Sequence, residues 1–156
     1  KENNMIKEKE NVLTLHRIFN APAECIFNAF LDADALAKWL APHGYTATIN
    51  HLEPYEGGHY DITLTHFRSG RRYRFKGQYL EIKPNEFIRY TDQLCDDEDE
   101  AKGAMTEKMI ELKPSFLGTE LNITQTGLLE FQPKEVCYLD WQQSLYLLEN
   151  LIGSDH

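Results

Sequence analysis

The sequence predicts an α+β fold in which a curved antiparallel sheet is covered by one long C-terminal helix. Three observations carry this. Between Tyr45 and Thr126 apolar residues recur with period two, in runs separated by turn residues. Near the C-terminus Tyr138, Trp141, Leu145, Leu148 and Ile152 repeat at spacings of 3, 4, 3 and 4, the period of a helix resting one face on a core. Two short helical patterns stand between a first strand and the period-two region, so the predicted order is βααββββββα.

Residues 11–20 are rich in Val, Leu, Ile and Phe and read as the first strand. Pro22 suits the first turn of a helix, where its missing N–H is not needed. Ile26, Phe27, Phe30 and Leu31 then make one apolar helical face. Asp32 or Asp34 is placed to cap a second helix running through Leu36, Trp39 and Leu40, which Pro42 ends.

Residues 46–52 form the next expected strand, and 53–58 (EPYEGG) are turn chemistry. Tyr60, Ile62 and Leu64 alternate with polar neighbours in a half-buried strand. Ser69 and Gly70 turn the chain into 71–82, where Tyr73 and Phe75 oppose Arg72, Arg74 and Lys76. A turn at 83–85 leads to 87–94, with Ile88, Tyr90 and Leu94 on one face. Strands at 106–112 and 119–126 follow, joined at 114–118. Hairpin-linked strands in sequence imply an antiparallel meander. Pro133 opens the last helix, Leu147 and Leu151 widen its stripe, and Gly153 is expected to stop it. At 1.5 Å per residue it is about 28 Å long, enough to cross a sheet.

Only a sheet laid against this helix buries both apolar faces. A strongly bent sheet does not meet a straight helix everywhere, and the gap is the expected place for a pocket. With 156 residues the chain suffices for one domain, expected over 11–153, without a disulfide or metal staple. Residues 1–10 are too polar for a secretory signal and read as a disordered tail. No apolar run approaches a membrane span.

The formal charge of −9 disfavours nucleic acid and anionic membrane surfaces as partners. Five of the acids form the run 96–100 (DDEDE), read as a solvated, mobile loop; without it the remainder carries −4. Cys25, Cys95 and Cys137 contain no CxxC pair and suit reduced thiols in a cytoplasmic protein.

Four segments carry a family resemblance: WLAPHGYT at 39–46, EGGHYDI at 56–62, GQYLEIKPNEFIRYTD at 77–92 and DWQQSLYLLENL at 140–151. Together, in this order, they resemble the family named after the activator of the Hsp90 ATPase, within the START-like or Bet v 1-like (SRPBCC) superfamily. The resemblance implies the helix-grip fold, in agreement with the element order. It also implies an apolar cavity of the kind that binds lipids, hormones or polyketides. Eukaryotic co-chaperones of the family stimulate the Hsp90 ATPase with the help of an additional N-terminal domain, for which this chain has no room.

Signatures of chemistry are sparse. His43, His51, His59 and His66 are spread over the end of the second helix and a hairpin, and His51 and His59 are expected near each other across the turn at 53–58. HExxH, HxH and CxxC are absent, so no metal site or cofactor is expected. No GxSxG elbow or glycine-rich phosphate cradle occurs, and no catalytic residue is assigned. Acid–base chemistry in the pocket would fall to Asp92 or His66.

The aromatic residues are the stronger clue. Trp39, Tyr60, Tyr73, Phe75, Tyr90 and Trp141 fall on faces expected to point toward the helix. They either fill the core or line a pocket for an apolar or aromatic ligand, with tyrosine hydroxyls as polar anchors. Trp39, Tyr60, Phe75, Tyr90 and Trp141 are the expected ligand-binding walls. The alternatives are a protein-interaction module, such as a chaperone cofactor or stress adaptor working through the sheet surface and acidic loop, and a pocket enzyme of cyclase or hydrolase type.

Overall fold

The computed structural model describes residues 12–154 apart from 97, 99, 104 and 128–133. Strand β1 (Val12–Phe19) leads into helices α1 (Ala23–Leu31) and α2 (Ala33–Trp39). Strands β2 (Tyr45–Leu52), β3 (His59–His66), β4 (Arg72–Lys83), β5 (Phe87–Cys95), β6 (Thr106–Ser115) and β7 (Gly118–Thr126) follow, and α3 (Lys134–Ser154) ends the chain. This is the α+β order βααββββββα read from the sequence. The expected tail at 1–10, Pro133, and Asp97 and Asp99 of the acidic run lie outside the described residues.

All seven strands form one antiparallel sheet in the order β1-β7-β6-β5-β4-β3-β2. The first two strands in sequence are thus its two edges, and α1 with α2 carries the chain from one edge to the other. The sheet bends where register shifts interrupt it, between Ile49 and His51 opposite β3 and between Tyr79 and Glu81 opposite β5; an extra residue in one strand kinks it and increases its twist. The inner face presents Leu13 and Leu15, Tyr60 and Ile62, Tyr79, Ile88, Ile110, Leu112, Leu121 and Ile123, all buried.

Asp32, rather than Asp34, caps α2: its Oδ2 accepts the Ala35 N–H at 3.0 Å, satisfying a donor that the first turn leaves unpaired. Pro22 stands just ahead of α1 instead of within its first turn. Trp39 is fully buried, its indole donating to the Ala29 carbonyl at 2.9 Å and its ring meeting Phe30 edge-on at 4.8 Å. This fixes α2 against α1.

On α3 the buried stripe is Cys137, Trp141, Leu145, Leu148 and Ile152, with Leu147 and Leu151 partly buried beside it. Tyr138 is 42 % exposed and does not belong to it. Counting back from Trp141, residues 137 and 138 are both within one turn, and the smaller Cys137 takes the inner position. Gly153 does not stop the helix, which runs on to Ser154. The Arg17 guanidinium reaches from β1 to Gln142 and Glu149 of α3, and Ser144 donates to the Leu40 carbonyl at 2.7 Å. Helix α3 is therefore tied to both the sheet edge and the end of α2. Among the described residues no helix is long and apolar enough to cross a membrane.

Candidate functional site

Between the inner face of β3–β7, helix α2 and the N-terminal half of α3 lies a cavity of about 190 Å³. Trp39, Tyr60, Phe75, Tyr90 and Trp141 all stand on its lining, which is otherwise mainly apolar. Tyr73 does not: it packs on Tyr45, ring centroids 6.1 Å apart, with the Arg71 guanidinium over its own ring. Of the two candidate acid–base residues, Asp92 reaches the lining and His66 does not. His66 instead bonds Ser69 in the β3–β4 turn and stacks on Phe67. His51 and His59 do come together, each directed at the Glu53 carboxylate (3.2 and 3.7 Å), away from the cavity.

One wall is built around a gap in the sheet ladder. Tyr60 of β3 sits opposite Gly77 of β4. A Cβ at residue 77 would lie 2.4 Å from the Tyr60 ring, so only glycine lets that ring pass over β4. Its hydroxyl thereby reaches β5, where one proton is shared between the Thr91 carbonyl (2.8 Å) and Asp92 Oδ1. The Gln78 backbone N–H donates to Thr91 Oγ1 at 3.1 Å. Tyr79 and Tyr90, paired across β4 and β5, complete a triangle with Tyr60, ring centroids 5.7–5.9 Å apart.

Asp92 organises the polar end. Its Oδ2 accepts from Lys108 Nζ of β6 at 3.1 Å, and its backbone carbonyl accepts from Thr106 Oγ1 at 3.1 Å. The Lys108 side chain is 17 % exposed, its ammonium 5.5 Å from the Trp141 ring centroid and 5.9 Å from that of Tyr90, positions in which the ring faces attract a cation. On the α3 side the Trp141 indole donates to Gln125 Oε1 at 3.0 Å, and the Cys137 thiol reaches the same oxygen at 3.6 Å.

These surroundings set the protonation states. Burial raises the Tyr60 hydroxyl well above its ordinary value, and the Asp92 carboxylate raises it further. Tyr90 is pushed up to about 12, chiefly by burial. For Lys108, burial is the largest influence and works to lower the pKa, but Asp92, Tyr90 and Cys137 together outweigh it and the net direction is up. Near neutral pH the cavity thus holds an ammonium and phenols that donate hydrogen bonds, and none of these three groups is a base. Burial likewise raises the Cys137 thiol, which keeps it a poor nucleophile.

Lys108, Thr106, Gln125 and Asp140 line the cavity but were not among the residues expected from sequence. The signal for Lys108 and Gln125 is strand alternation: Lys108 is in phase with the buried Ile110 and Leu112, and Gln125 with Leu121 and Ile123.

A seven-stranded curved antiparallel sheet wrapped on a C-terminal helix, with a lined cavity between them, is the helix-grip arrangement of START-like proteins. The family model described as activator of Hsp90 ATPase homolog 1-like protein matches residues 20–153, and the chain belongs to that family. A crystallographically solved protein from Chromobacterium violaceum is 42 % identical, with a TM-score of 0.85 over 91 % of this chain and 97 % of its own. An AHSA1 protein from Silicibacter pomeroyi is 23 % identical, with a TM-score of 0.76 over 93 % and 99 % of the two chains. A protein from Rhodobacter sphaeroides, at 19 % identity and a TM-score of 0.80 over 94 % and 95 %, shares the fold. No curated protein matches.

Proposed function

We propose that this protein is a non-enzymatic binding module that holds a small apolar or aromatic molecule in the cavity between the sheet, α2 and α3. The observation that carries this is the cavity itself: about 190 Å³, walled by Trp39, Tyr60, Phe75, Tyr90 and Trp141, with the Asp92–Lys108 pair at one end. An apolar cavity of ~150 Å³ is enough to bind benzene, so a single substituted ring is the right size. Aromatic walls with few polar groups are the usual make-up of such sites. The protonated states of Tyr60, Tyr90 and Lys108 favour binding over base catalysis. Three free cysteines suit a reducing cytoplasm.

The chain's two tryptophans both border the cavity, and they supply the test. In a ¹H–¹⁵N spectrum titrated with small aromatic compounds, the Trp39 and Trp141 indole signals are expected to shift in a saturable way. Shifts confined to surface residues, or none at any concentration, would remove the proposal.

A second reading, as a protein-interaction module, draws on the β6–β7 hairpin tip, where Phe116 and Leu117 stand in solvent with exposed Ile18. Large apolar side chains grouped in water mark interaction surfaces. ATP hydrolysis by a purified Hsp90-type chaperone, with and without this protein and its F116S/L117S variant, decides it. Stimulation lost in the variant supports that reading; no stimulation by the unaltered protein opposes it.

A further inference from the structure

Resting on the binding reading above, we infer that the site continues beyond the cavity onto Tyr45 and Tyr73, and that the ligand is an elongated aromatic compound with one ring inside the cavity and a second ring on this outer pair. The strand register places the pair. Leu64 of β3 lines the cavity and stands directly opposite Tyr73 of β4. Two residues further along β3, His66 stands opposite Tyr45 of β2. Opposed residues of an antiparallel pair share a face of the sheet, and so do residues two apart on one strand. Tyr73, His66 and Tyr45 therefore prolong the inner face on which Leu64 and Phe75 form the cavity wall.

Size and surface both point outward along this face. The cavity, at about 190 Å³, is smaller than the roughly 300 Å³ at which pockets that bury a whole small molecule begin. Growth of a ligand toward Asp92 and Lys108 would press an apolar ring onto an ion pair and take it out of water without return. Growth past Leu64 and Phe75 meets aromatic surface instead. Leu64, Phe75, His66, Tyr73 and Tyr45 are all half-buried, and Phe67 beside them is 65 % exposed. Apolar surface thus leads from the interior out to solvent, the mark of a ligand groove.

The outer pair is held in place before any ligand arrives. The Tyr45 ring meets His66 edge-on with centroids 5.1 Å apart, and Tyr73 at 6.1 Å. The two tyrosine side chains are hydrogen-bonded to each other through their hydroxyls. The Arg71 guanidinium lies 5.5 Å from the Tyr73 centroid, and the Ser69 N–H donates to His66 Nδ1 at 3.2 Å. Rings fixed in this way lose little freedom when a further ring packs on them.

Benzyl alcohol and 4-biphenylmethanol differ by the second ring alone, and are titrated calorimetrically at neutral pH into the unaltered protein, Y73A and Y45A. The unaltered protein is expected to bind 4-biphenylmethanol about tenfold or more tighter than benzyl alcohol, the worth of one added ring contact. That ratio is expected to fall toward one in Y73A and in Y45A. The unaltered protein with ¹³C-labelled tyrosine rings gives a second readout that does not depend on a variant folding. Its Tyr45 and Tyr73 signals are expected to shift with 4-biphenylmethanol and to stay in place with benzyl alcohol. A ratio near one in the unaltered protein, a ratio indifferent to both substitutions, or unmoved Tyr45 and Tyr73 signals overturns the outer subsite while leaving a binding cavity intact. Failure of both compounds to bind overturns the cavity reading itself.

Discussion

The ring of Tyr60 lies directly across Gly77, and the hydroxyl at its far end is hydrogen-bonded one strand further on, to the Thr91 carbonyl and Asp92. One glycine on β4 thus sets both the shape of the cavity wall and the orientation of the carboxylate that holds Lys108. A Cβ at residue 77 would also stand 1.9 Å from the Thr91 carbonyl oxygen, where backbone cannot easily give way. The variant G77A is expected to lose stability by about 2–4 kcal/mol, as overpacked sites do. A urea titration measures it; an unchanged midpoint would mean that the ring is free to move aside.

The cap of α2 is a smaller, separable contribution. Asp32 bonds the Ala35 amide, and the helix it starts delivers Leu36 and Trp39 to the cavity. Replacing it in D32A is expected to cost about 1 kcal/mol, read from the same urea titration, with the cavity-facing NMR signals little changed.

Tyrosine ionisation gives an alkaline signature. The chain has eight tyrosines; Tyr60, Tyr79 and Tyr90 are held above the ordinary value of 10, mainly by burial. A raised phenol contributes stability that is fully present below about pH 10 and is lost as pH climbs toward its folded value. Absorbance at the tyrosinate band is therefore expected to go on rising well above pH 10, where this trio ionises together with loss of structure. A single transition accounting for all eight tyrosines would contradict the burial of the triangle.

On the outer face of β3 and β4, Arg74 Nε donates to both oxygens of Asp61 (3.0 and 3.2 Å), Arg74 Nη2 donates to Oδ2, and Asn50 adds a fourth bond. The Arg74 hydrogen bonds are the largest influence and hold the Asp61 pKa below its ordinary 3.8. A lowered carboxylate contributes stability present above pH ~4 and lost as pH falls through the folded pKa. In D61N that part of the acid dependence should vanish. The urea midpoints of the variant at pH 3 and pH 6 would then lie closer together than those of the unaltered protein; an equal separation would count against the pairing.

The frame was legible in the residues because its signals are periodic and long. Trp141, Leu145, Leu148 and Ile152 repeat over about three turns, and all four are buried. At the helix start the pattern misleads, since Tyr138 is the more apolar-looking side chain but Cys137 occupies the face. The polar end of the cavity was less visible. A lysine or glutamine in a strand ordinarily points to water, and only the phase of its apolar neighbours places Lys108 and Gln125 inward. The path of Tyr60 over Gly77 depends on a pairing register between strands 17 residues apart, which local periodicity does not encode. In the described residues of the acidic run, which reads from sequence as a mobile loop, Asp96 Oδ1 accepts the amides of Glu98 and Glu100, both at 2.9 Å.

A crystal of this protein pressurised with xenon tests most directly whether the space beneath α3 admits an apolar guest. Xenon is expected in the cavity, within contact of Trp39, Tyr90 and Trp141 and clear of the Asp92–Lys108 pair. Xenon bound only at the surface, with those three rings closed against one another, would contradict the account.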